Sequence, residues 1–130
     1  MTNAGKESST AAISVTPFIN VLVWVKLLEN GVDYYVRCEP HVPKVMQKDT
    51  VINYQIVDTY GQDIVFSGLD VTPDDLNQIS IPSISTSGKL LTVSDANTYN
   101  GWLSLYLEFT DNSLGRSFKH DPQVRNEADA

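Results

Sequence analysis

Residues 102–110 alternate strictly between apolar and polar side chains, and this two-residue period constrains the fold more than any other feature of the chain. Successive side chains of a β-strand point in opposite directions, so the pattern predicts a strand with one face in a core. The apolar face consists of Leu103, Leu105, Leu107 and Phe109. No segment longer than about ten residues keeps the 3.6-residue period of an amphipathic helix.

Further short strands are predicted along the chain, with turn residues between them. Asn30 and Gly31 form the strongest hairpin signal, because both tolerate a positive φ, and they separate predicted strands at residues 18–28 and 32–38. Roughly eight such strands predict an all-β fold, an antiparallel β-sandwich that is immunoglobulin-like or similar, in a single domain. A closed barrel is the alternative.

The composition agrees with one globular domain. The chain has 130 residues, of which 42% are hydrophobic and 19% are charged, so it is neither disordered nor too small for a core. We predict a flexible arm over residues 1–11, the β-sandwich domain over residues 12–122 and a polar tail over residues 123–130.

Charge limits the classes of partner. The formal net charge of −7 argues against a nucleic-acid partner, because a phosphate backbone is bound by clustered Lys and Arg.

The apolar stretch at residues 21–28 is too short for a membrane span and is interrupted by Lys26. With no secretory leader visible, we expect a cytoplasmic protein without a membrane partner. Unpaired sheet edges are a possible route to a homo-oligomer.

The single cysteine, Cys38, excludes an intramolecular disulfide. We expect it to be a buried strand thiol, as free cysteines commonly are. His41 and His120 do not have the spacing to Cys38 that metal sites use. We therefore predict no metal and no other cofactor.

Two acid–proline pairs, Glu39–Pro40 and Asp121–Pro122, stand far apart in the sequence. An Asp–Pro bond is the most fragile ordinary peptide linkage, because the Asp carboxylate reaches its own carbonyl carbon through a five-membered ring. The proline nitrogen of the tertiary amide also protonates and departs readily. Acids and prolines are common in turns as well, so each pair alone is compatible with a purely structural role.

The placement of both pairs in a β-rich chain of this size resembles the DP-EP family, a small family of bacterial proteins named for the two dipeptides. The resemblance covers about residues 13–122. It implies a β-sandwich and a link to self-cleavage of an aspartic-peptidase-like kind. The implied cleavage site is the bond between Asp121 and Pro122.

On this hypothesis Asp121 assists attack on its own carbonyl, and Glu39 is the candidate second acid. His120 or Lys119 holds charge or relays a proton. Burial or a neighbouring carboxylate would let such a step run at neutral pH, because both raise the pKa of a carboxyl group. A lysine amine that intercepts an anhydride at Asp121 would leave a side-chain cross-link.

The alternative function is a non-enzymatic interaction module. Such a sandwich would bind a protein or glycan partner through its loops or an aromatic face. A turnover peptidase acting on a separate substrate is less favoured, because nothing in the sequence marks a substrate cleft, and its substrate would be unknown.

Overall fold

The computed structural model describes residues 15–128, and ten β-strands form within this range. The strands are β1 (Phe18–Leu27), β2 (Tyr34–Glu39), β3 (Lys44–Val45), β4 (Thr50–Asp58), β5 (Ile64–Thr72), β6 (Ser83–Ile84), β7 (Leu90–Asp95), β8 (Gly101–Asp111), β9 (Arg116–His120) and β10 (Gln123–Asn126). The all-β prediction is confirmed. The strand count exceeds eight partly because β3 and β6, with two residues each, are too short to show alternation. The predicted arm at residues 1–11 lies outside the described residues.

The strands form two sheets packed as a sandwich, in one domain. The first sheet has the order β2-β1-β4-β7-β6, and the second has the order β3-β10-β8-β5, with β9 also paired to β8. Most pairs are antiparallel, but β1 with β4 and β3 with β10 are parallel. Alternation alone did not predict these two pairs, because both orientations share the same period. Within residues 15–128, the structure contains no long apolar helix of the kind that crosses a membrane.

The core lies between the sheets. Val21, Val23 and Val25 of β1 are 0% exposed, as are all four apolar side chains predicted for the inner face of β8. Full burial of such side chains contributes about 1.5–3 kcal/mol each relative to exposure. Cys38 also lies in the core, as predicted, and burial raises the pKa of its thiol to about 11.

The domain continues past the boundary predicted at residue 122. β10 occupies residues 123–126 and pairs with β8 on one side and with β3 on the other. Val124 and Asn126 are 0% exposed. The predicted polar tail therefore begins with a strand of the second sheet. One buried apolar residue within four strand residues was too weak a signal to reveal it.

We predict that Val124→Ala destabilises the protein by about 2–3 kcal/mol, because it deletes two buried methyl groups and leaves a cavity. Gln123→Ala, on the exposed face of the same strand, is the matched control and should change stability by less than about 0.5 kcal/mol. Urea unfolding measures both. Equal, small effects would mean that β10 is not part of the cooperative fold.

Candidate functional site

Strands β9 and β10 lie end to end along one edge of β8, with Asp121–Pro122 between them. The last residue of β9, His120, pairs with Leu107, and the first residue of β10, Gln123, pairs with Ser104. Two residues separate the pairs on each strand, so the antiparallel register passes through the junction without a shift. Asp121 and Pro122 thus lie within one continuous extended segment, residues 116–126, which we call the β9–β10 line.

The backbone at the junction is held by β8. The register places Asp121 opposite Tyr106 and Pro122 opposite Leu105. The amide of Leu105 donates a hydrogen bond to the carbonyl of Pro122 at 2.9 Å. Proline has no N–H to return a ladder bond, which is why the strand is interrupted here although the line continues.

The side chains at the junction alternate between the two faces of the second sheet. Asp121 is exposed on the outer face, as is Lys119 two residues earlier. Pro122 is buried and His120 is partly buried, so both face inward. The carboxyl group of Asp121 and the imidazole of His120 therefore lie on opposite sides of the sheet.

A row of polar side chains crosses the outer face beside Asp121. Asp70 on β5 pairs with Tyr106 on β8, and Tyr106 lies opposite Asp121, so the three occupy neighbouring strands. At a strand spacing of about 4.8 Å, the Asp70 and Asp121 backbones are about 10 Å apart. Lys119 forms a salt bridge with Asp70. The hydrogen bond to Asp70, together with its charge, raises the pKa of Lys119.

A groove of about 820 Å³ opens next to this row. Asp70, Tyr106 and Lys119 line one wall, and residues 77–82 line another. The sequence carried no sign of a cleft here, because its walls come from segments that are distant in the chain.

His120 has an unusual electrostatic environment on the inner side. Burial lowers the pKa of His120 from its ordinary value; the charge of Asp121 raises it and that of His41 lowers it further, and the net shift is downward. His41 lies in the corner after Glu39–Pro40, and the parallel pairing of β3 with β10 places the end of that corner beside β10. Among residues 15–128, no group of three His, Cys, Asp or Glu side chains is placed to hold a metal ion.

Glu39, the predicted second acid, lies on a different sheet from Asp121. Cys38 points into the core, so strand alternation places Glu39 on the outer face of the first sheet, where its register partner is Leu22. Asp121 lies on the outer face of the second sheet. Asp70 of β5 and Glu108 of β8 share the outer face of the second sheet with Asp121. No sequence signal linked Asp70 to Asp121, because their proximity depends on the pairing of three strands.

A partly buried hydrogen-bond network joins β2 to the end of β8. The hydroxyl of Tyr34 donates to Asp111 at 2.6 Å, and the side-chain amide of Gln62 donates to the same oxygen at 3.0 Å. Burial would raise the pKa of Asp111, but these bonds and backbone donors outweigh it, so the pKa is lowered. The Tyr34 ring stacks on Phe118 of β9, with ring centres 3.7 Å apart. The network therefore ties β2 of the first sheet to β9.

Comparison with protein families matches residues 18–128 to the DP-EP family. The chain belongs to the DP-EP family. The match spans both acid–proline pairs and continues through β10, which agrees with the longer domain. A comparison with curated proteins found no match. Membership of the DP-EP family does not by itself assign a function.

We predict that lowering the pH reduces the free energy of unfolding more in the wild type than in His120→Gln. The pKa of His120 is lowered from 6.5 in the fold. Neutral His120 therefore adds to the free energy of unfolding. This stabilisation is fully present above pH 6.5 and is lost as the pH falls through the lowered pKa. Urea unfolding at about pH 7.5 and about pH 5.5 measures the loss. His41→Gln removes a neighbouring positive charge and should reduce the loss in part. Identical pH dependence in all three proteins would contradict the burial of His120.

Proposed function

We propose that this DP-EP protein cleaves its own chain once, at the bond between Asp121 and Pro122. The position of that bond within the continuous β9–β10 line is the observation that supports the proposal most. Asp121 is exposed to water, while Pro122 is buried and hydrogen-bonded through its carbonyl. Both partners of the bond are thus held by the sheet independently of the bond itself.

The chemistry needs only groups at the junction. A carboxylate oxygen of Asp121 attacks the carbonyl carbon of the same residue from the outer side. The bond to Pro122 breaks, its electron pair goes to the proline nitrogen, and that nitrogen takes a proton. The product is a cyclic anhydride at Asp121, which one water opens to two carboxyl groups. The ammonium of Lys119 shares the outer face and would stabilise the negative charge of the tetrahedral intermediate.

His120 is the proposed proton donor, acting from the inner side. Its lowered pKa leaves the imidazole largely neutral near pH 7, so donation becomes effective only in mild acid. Asp121 and Glu39 are both exposed, so neither lies in the water-excluding pocket that neutral-pH cleavage would use. We therefore propose mild acid as the condition for cleavage. Asp70 replaces Glu39 in this proposal as the acid that organises the outer face.

We predict that incubation at about pH 5 yields fragments 1–121 and 122–130, formed faster than at about pH 7.5. Denaturing mass spectrometry should resolve both fragments, whereas native mass spectrometry should show them still associated. Association is expected because β10 pairs with two strands, and the amide of Asn126 donates to Asp95 of the first sheet at 3.0 Å.

Asp121→Ala and Pro122→Ala are the matched controls for this experiment and should both stay intact. His120→Gln should slow cleavage at the lower pH and abolish most of the difference between the two pH values. A single full-length mass after prolonged incubation at about pH 5 would exclude self-cleavage of the folded chain.

We predict that Asp70→Asn diverts part of the anhydride to a cross-link with Lys119. Removing Asp70 breaks the salt bridge of Lys119 and removes the largest of the interactions that raise the pKa of Lys119. The ammonium of Lys119 loses a proton to water, and the resulting amine attacks the anhydride at Asp121, forming an amide and leaving one carboxyl group. The product is a 1–121 fragment lighter by one water than the hydrolysed fragment.

Asp74→Asn, an exposed acid of the same groove, is the control and should give the hydrolysed fragment alone. Combining Asp70→Asn with Lys119→Gln should abolish the cross-link without preventing cleavage. Cleavage of Asp70→Asn with no cross-linked fragment would mean that Lys119 does not reach Asp121.

A further inference from the structure

A second cleft lies on the outer face of the first sheet, on a different sheet from Asp121. Its walls are Trp24, Lys26, Tyr35, Arg37 and Tyr60, which enclose about 220 Å³. We refer to these five residues as the aromatic–cationic cleft. Neither the proposed cleavage nor the core of the sandwich uses their outward-facing groups.

Strand pairing builds the floor of the cleft. Trp24 pairs with Arg37, and Lys26 pairs with Tyr35, across β1 and β2. The intervening side chain of β1, Val25, is buried in the core, so the four side chains project outward together. The turn after β4 adds Tyr60, whose amide donates to a carboxylate oxygen of Asp58 at 2.9 Å. The cleft is therefore set on two paired strands and a hydrogen-bonded turn.

Two cations lie against aromatic rings in the cleft. The guanidinium carbon of Arg37 is 3.8 Å from the ring centre of Trp24, and the Nζ of Lys26 is 5.7 Å from that of Tyr60. A guanidinium over the face of an indole makes a cation–π contact and keeps N–H donors that can pair with a planar anion. Within residues 15–128, the salt bridge that forms is between Lys119 and Asp70 and involves neither cation of the cleft.

The tyrosine rings are open to solvent. Tyr35 is 56% exposed and Tyr60 is 53% exposed, so both present apolar surface with a hydroxyl at the rim. A volume of about 220 Å³ equals about seven waters at roughly 30 Å³ each, which suits one six-membered ring with its substituents. The protein carries a net charge of −7, and two cations do not make a track for a nucleic-acid backbone.

We propose that the aromatic–cationic cleft binds one acidic sugar residue, a uronate, of a glycan. The carboxylate of the sugar pairs with Arg37 and Lys26, and the sugar ring packs against Tyr35 and Tyr60. This assigns a ligand class to the interaction-module function. It is independent of cleavage at Asp121, because the two sites share no residue.

The test uses the full chain carrying Asp121→Ala, so that cleavage does not interfere. Titration with D-glucuronate, followed by tryptophan fluorescence and by amide NMR shifts, should give a dissociation constant on the order of 1 mM for a ligand of this size. D-glucose, which lacks the carboxylate, should bind at least tenfold more weakly. Arg37→Gln and Lys26→Gln should each weaken glucuronate binding about tenfold, as expected for loss of a charged hydrogen bond.

A matched control is available on the other sheet, where Arg125 lies 5.4 Å from the ring centre of Trp102. Arg125→Gln should leave glucuronate binding unchanged. Tyr35→Ala should weaken glucuronate binding but not the binding of acetate, which lacks a ring. Unchanged amide shifts of the buried residues Val93 and Leu107 in each variant would show that the core is intact.

Three results would overturn the proposal. These are equal affinity for glucuronate and glucose, wild-type affinity in Arg37→Gln, and shifts confined to residues outside the cleft. Tighter binding of a nucleoside monophosphate than of glucuronate at the same residues would also overturn it, in favour of a phosphate ligand.

Discussion

The second sheet depends on β8, which is paired along both of its edges. β5 covers one edge, and β9 followed by β10 covers the other in a single register. The inner face of β8 supplies a large part of the core, including Leu105 opposite Pro122. β9 and β10 each pair with β8 through their own hydrogen bonds. The position of each strand therefore does not depend on the peptide bond between Asp121 and Pro122 alone. The fold therefore holds the residues on both sides of this bond through separate strand pairs.

The sheet also separates the chemical groups around that bond. One extended strand has two faces, so consecutive residues His120 and Asp121 meet different environments. The imidazole lies partly buried toward the first sheet, where burial favours its neutral form. The carboxylate lies in water, beside Tyr106 and the ion pair of Lys119 with Asp70. In the proposed cleavage, the proton donor and the nucleophile therefore lie on opposite sides of the sheet.

The two outer faces of the sandwich carry different chemistry. The outer face of the second sheet has the row of polar side chains and the groove next to Asp121. The outer face of the first sheet has the aromatic–cationic cleft. Glu39 lies on the outer face of the first sheet, and Asp121 lies on the outer face of the second sheet. Both acid–proline pairs lie within the residues that match the DP-EP family. The link between the pairs is through the backbone, because the corner after Glu39–Pro40 leads into β3, which pairs with β10. The Glu–Pro corner thus helps to hold the strand that follows the Asp–Pro bond.

The sequence by itself determined most of the longer strands, the buried face of β8, the buried Cys38, the acid–proline pairs and the DP-EP resemblance. These properties are local, since a two-residue period or a dipeptide needs no distant partner to be recognised. Only the tertiary structure decided that Glu39 and Asp121 lie on different sheets, that Tyr106 lies opposite Asp121 with Asp70 on the next strand, and that β10 completes the domain. The same holds for the groove and the aromatic–cationic cleft. Each of these depends on which strands pair and in what register, and the contacts that select the register lie far apart in the chain.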